Sequence, residues 1–87
     1  DDWTALLRRL SRARGLVEGD PELRRAIVGW HVEGPFLSPE PGYCGAHDPA
    51  KMCDPSPARM EELREAAGAD PVLLTLAPER AGAVEAI

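Results

Sequence analysis

The chain has 87 residues, room for one small domain with a thin core. Ten basic residues stand against fifteen acidic ones, a net charge of −5, which argues against a nucleic-acid or anionic-membrane partner. Apolar residues make up 44% and charged residues 29%, a globular balance rather than a disordered one. No apolar run reaches the length of a transmembrane helix, and no signal-peptide pattern opens the chain. The two cysteines, Cys44 and Cys53, are too few for a secreted disulfide framework, so the expected location is cytoplasmic. Asp1 is not an initiator Met, and nothing like a C-terminal cap follows Ile87, so a piece of a larger protein is expected.

The first predicted element is a helix over residues 3–14. Asp2 offers an N-cap, and Trp3, Leu6, Leu7, Leu10 and Ala13 recur at helical spacing. Arg8, Arg9, Arg12 and Arg14 occupy the other faces and read as a solvated surface, and Gly15 reads as the stop. Gly19 and Pro21 break the chain next, with a short turn at 22–25. Residues 26–32 then read as a strand buried on both faces, because apolar and β-branched residues run almost without interruption.

A loop of about 22 residues, 34–55, leaves the end of that strand, and compact domains rarely carry such a loop without a functional reason. Ser56-Pro57 starts a helix over 57–67 that ends at Gly68, with Met60, Leu63 and Ala67 on one stripe. Residues 72–77 read as a second buried strand, and Pro78 as the start of a third helix. The order is helix, strand, loop, helix, strand, helix. It predicts an α/β fold in which the two strands are parallel neighbours. Two such strands cannot shield their own faces, which again suggests that more strands belong to the fold. In α/β folds the chemistry gathers at the C-terminal ends of strands, where the long loop begins.

Several residues there could carry chemistry. Glu33 ends the first strand, and its carboxylate reads either as a metal ligand or general base, or as a solvated strand end. His47 reads either as a group that polarises a carbonyl or as a surface imidazole. His31, inside the strand, reads as a core histidine, or one behind the site, that satisfies a neighbouring polar group. Cys44, His47 and Cys53, with His31 as a possible fourth ligand, give a weak zinc pattern without paired C-x2-C knuckles. Otherwise the two cysteines are free thiols. There is no phosphate-cradling Gly-rich loop and no nucleophile elbow, and nothing around the single lysine, Lys51, suggests Schiff-base chemistry.

Three blocks point to a family. Gly29-Trp30-His31-Val32-Glu33-Gly34-Pro35-Phe36-Leu37-Ser38-Pro39-Glu40, Gly45-Ala46-His47-Asp48 and Leu74-Thr75-Leu76-Ala77-Pro78-Glu79 resemble N-acetylglucosamine-6-phosphate deacetylase, of the amidohydrolase superfamily. The resemblance covers nearly all of this chain and about a quarter of such an enzyme. It implies that residues 1–87 are part of a single catalytic domain, a fragment of a (β/α)8 TIM-barrel metal-dependent hydrolase. It implies Glu33 as a ligand of a divalent metal ion, zinc or iron. Ala46 and His47 match the pair that contacts the substrate, with His47 helping to polarise the acetamide carbonyl. The acid/base aspartate, the histidine ligands and the phosphate-binding residues of the family fall on later strands, so no catalytic acid or base is expected here. The implied partner is a small molecule, N-acetylglucosamine 6-phosphate, and the implied full-length enzyme is a homo-oligomer. Pro41-Gly42-Tyr43-Cys44 stands where relatives often carry a basic pair, so substrate contacts in this loop are expected to differ. Two other readings remain: another amidohydrolase acting on a related amino sugar, and a non-catalytic zinc module or remnant built on Cys44, His47 and Cys53.

Overall fold

A computed structural model describes every residue from Asp1 to Ile87. Helix α1 runs Asp2–Glu18, α2 Pro21–Ala26, α3 Pro57–Ala67 and α4 Ala83–Ala86, and the strands are β1, Trp30–Val32, and β2, Val72–Leu74. A 3-10 turn, Pro49–Lys51, interrupts the long loop. The molecule is a small mixed α/β domain whose two strands pair in parallel. No helix is long and apolar enough to cross a membrane.

α1 is N-capped by Asp1, whose carboxylate accepts from the Thr4 amide at 2.8 Å, and the cap thus sits one residue before the expected Asp2. The helix also overruns Gly15 and ends at Gly19. Gly15 is exposed, and Leu16 and Val17 extend the hydrogen-bonded ladder through it, so a helical glycine is tolerated there. α3 begins as its sequence suggests: the Ser56 hydroxyl accepts from the Arg59 amide at 3.1 Å, and Pro57 occupies the first turn. It ends at Gly68, whose φ of +65° suits glycine, and a Cβ there would lie 2.9 Å from the Arg14 guanidinium.

Arg14 corrects the expectation of a wholly solvated arginine face. Its Nε donates to the Ala66 carbonyl in the last turn of α3 at 3.1 Å, and its Nη1 pairs with Glu18 at 2.8 Å. One side chain thus ties α1 to a carbonyl that the helix itself leaves unbonded.

The core is Trp3 and Leu10 of α1, Val32 of β1, Phe36, and Leu63 and Ala67 of α3. Phe36 is fully buried and packs on Trp3 with ring centroids 5.2 Å apart and planes inclined by 46°. Trp30, Val72 and Leu74 close one face of the sheet onto this cluster. The other face is bare: His31 and Leu73 stand opposite each other in register, both exposed, Leu73 at 66%. The sheet is therefore covered on one side, not two.

Both strands are shorter than expected. Ala26 closes α2 and Ile27 caps it, while Val28 is 86% exposed, so the apolar run before Trp30 is not a strand. Pairing starts where the Trp30 amide donates to the Pro71 carbonyl at 2.9 Å. The expected third helix at Pro78 is a turn, and α4 begins only after Gly82.

Candidate functional site

Glu33 is the residue after β1, and Gly34 turns the chain out of the strand with φ +121°. Such a backbone favours glycine, and a second constraint acts at the same place. A Cβ on Gly34 would lie 3.2 Å from Nδ1 of His47. The imidazole from the middle of the loop therefore rests against the backbone next to Glu33. Pro35 and Phe36 are buried beneath and anchor this corner to the core.

Glu33, Gly34 and His47 line one cleft of about 280 Å³. Its other walls are Asp2, Trp3, Leu6 and Arg9 of α1, Pro35, Asp48 and Lys51. Asp2, Leu6 and Arg9 share a helix face by their spacing. Three carboxylates face two fixed cations and one imidazole in this cleft. Glu33 and His47 are both exposed, so a solute reaches them directly. Glu33 is not buried on the helix-covered side, the placement that would have excluded it as a ligand.

The loop is held in shape locally. The Asp48 carboxylate accepts from the Ala50 amide at 2.9 Å and caps the 3-10 turn that carries Lys51. The His47 amide donates to the Cys44 carbonyl at 3.1 Å. No protein-family model, curated protein or solved structure matches the chain.

The structure thus brings Glu33 and His47 to one cleft, while Ala46 is exposed and lies outside its lining. His31 is exposed rather than in the core, because its side chain points to the uncovered face of the sheet; there its Nε2 shares a 2.8 Å hydrogen bond with the Thr75 hydroxyl. Cys44 approaches the Gly45 carbonyl at 3.8 Å, and both cysteines are free. No three side chains among His, Cys, Asp and Glu stand close enough together to hold a metal ion, so Cys44, His47, Cys53 and His31 are not gathered into a zinc set. The Cys53 thiol is pushed up from its ordinary 9.0, mainly by burial, while the Arg59 and Arg80 charges pull against this and Asp54 adds to it.

Sequence reasoning missed Arg9 and Lys51 as cleft residues. Arg9 could have been found, because it lies three residues from Leu6 and seven from Asp2 on one helical face. Lys51 gave no signal, since its place depends on how the proline-rich loop folds back. Arg80 was missed as well; it ties the segment after β2 to both ends of the loop.

Proposed function

We propose that this chain forms part of a metal-dependent (β/α)8-barrel deacetylase that hydrolyses the N-acetyl group of N-acetylglucosamine 6-phosphate, giving glucosamine 6-phosphate and acetate. The observation that supports it most is that Glu33 and His47, the residues marked by the motif resemblance, line one solvent-accessible cleft at the C-terminal end of a parallel strand. Two features support the barrel reading: both outer edges of the two-stranded sheet are free to pair with further strands, and the bare face around His31 and Leu73 suits the inside of a closed barrel, where side chains of the opposite strands would pack on it.

Glu33 fits one ligand position for a divalent cation: it is an accessible hard oxygen donor with a glycine behind it. The remaining donors would come from other strands of the barrel. A bound divalent metal would supply an activated water at neutral pH. His47 would donate a hydrogen bond to the acetamide oxygen as negative charge builds there, and its rest against Gly34 keeps it beside Glu33. The phosphate and the departing acetate need groups beyond this set.

The test is acetate release from N-acetylglucosamine 6-phosphate by the full-length protein loaded with zinc or iron. Glu33→Gln keeps the shape and removes the charge, and it is expected to lower kcat/KM about 100-fold or more while the far-ultraviolet spectrum holds. No acetate from the loaded wild type overturns the proposal.

A further inference from the structure

We propose that Arg80 is a positioning residue: by clasping both ends of the 34–55 loop it sets where His47 stands relative to Glu33. The functional half of this inference rests on the deacetylase reading; the geometric half does not.

The Arg80 side chain is only 13% exposed, although a free arginine on a turn would extend into water. Its Nη1 donates to the Leu37 carbonyl at 2.6 Å, near the start of the loop. Its Nε and Nη2 both reach the Asp54 carboxylate, at 3.0 and 2.9 Å, near the end of the loop. Met52 Sδ lies 4.0 Å from Nη1. One guanidinium therefore spans the two feet of the loop with its planar fork, which a lysine cannot reproduce.

The backbone around Arg80 repeats the same grip. The Ala77 amide donates to the Phe36 carbonyl at 2.8 Å. Gly82 abuts the Pro55 carbonyl so closely that a Cβ would collide with it. The two feet are also joined directly, Cys53 amide to Pro35 carbonyl at 2.8 Å. Between these feet Ala46, His47 and Asp48 are all exposed, and the backbone hydrogen bonds there run within the loop itself, such as His47 amide to Cys44 carbonyl and Lys51 amide to Asp48 carbonyl. No other side chain of the segment after β2 bonds to the loop. The angle at which the loop leaves its base, and with it the place of the imidazole, is set from Arg80.

The experiment uses the full-length protein labelled on histidine and glycine, compared as wild type, Arg80→Gln, Arg80→Lys and Asp54→Asn, well below the melting temperature. The imidazole signals of His47 and His31 and the Gly34 amide are followed by NMR, together with the kinetics of acetate release. Arg80→Gln is expected to shift or broaden His47 and Gly34, leave His31 on its Thr75 partner, and lower kcat/KM about tenfold. Arg80→Lys should fall between wild type and Arg80→Gln. Asp54 is 56% exposed, so Asp54→Asn tests the same clasp without a folding risk and should move His47 in the same direction but less. Unmoved His47 in both variants, or equal changes at His47 and His31, overturns the clasp. A displaced His47 with unchanged kcat/KM overturns its role in the reaction. If His47 moves but the loaded wild type releases no acetate, the clasp stands and the deacetylase reading falls.

Discussion

Replacing Gly34 by Ala tests the corner that joins Glu33 to His47. The backbone there has φ +121°, where a residue with a Cβ costs about 1–3 kcal/mol. The new methyl would also stand 3.2 Å from the His47 ring, closer than ordinary contact, so the ring has to give. His47 is exposed and swings away at little energetic cost, so its displacement adds little to the loss of stability. Gly42 is the matched control: its φ is +89°, but nothing lies within 4 Å of a Cβ placed on it. Both variants are expected to lose about 1–3 kcal/mol in urea unfolding followed by tryptophan fluorescence. Only Gly34→Ala should move the His47 imidazole signal, and under the proposed deacetylase function only Gly34→Ala should reduce acetate release, by displacing the proposed donor. A Gly34→Ala protein with wild-type stability, or with His47 unmoved, would refute the geometry of this corner.

Trp3 carries the one buried side-chain polar atom without a partner, its indole Nε1. Trp3→Phe removes that donor along with some packing volume, so the two effects offset and the stability change should stay within about 1 kcal/mol by urea unfolding; a loss of more than about 2 kcal/mol would mean that the N–H is bonded after all. Cys53 has a raised thiol pKa, so its folded form favours the neutral thiol. The stability it contributes is complete below the unfolded value of 9.0 and is lost as pH rises through the higher folded value. Urea titrations across that range should show stability declining with pH in the wild type, less so in Cys53→Ala, and equal slopes would rule out the burial of the thiol.

What was readable in the sequence was what local chemistry decides. Ser56-Pro57 and Gly68 bounded α3 correctly because a cap, a ring constraint and a positive φ act within a few residues. The parallel pairing followed from the order of elements. Gly15 misled because a stop signal is only a preference, and here the ladder of α1 runs on through it. The run before Trp30 misled because apolar composition does not create a strand without a partner: the Pro71 carbonyl is where pairing begins. At the site, Glu33 and His47 were legible as residue types in motifs. Arg9 was legible only as a neighbour of Leu6 and Asp2 on one helical face, whereas Lys51 and Arg80 gave no signal, because their roles come from how the loop and the segment after β2 fold back. An arginine with two distant backbone and carboxylate partners looks the same in one dimension as an arginine in water.

A sheet of two strands has two free edges, and its bare face adds Leu73 to the surface. Such edges invite another chain to extend the ladder, which is how many small β-containing proteins begin to aggregate. Here the ladder is only three residues long on each side. Pro71 stands directly before β2 and offers no N–H, Pro35 follows soon after β1, and Pro78 follows soon after β2. These prolines act as gatekeepers around an otherwise sticky Val72-Leu73-Leu74 stretch. Pro35, Pro71 and Pro78 thereby limit how far an incoming strand could zip, so the chain can leave Leu73 exposed on its sheet with little template for fibril growth.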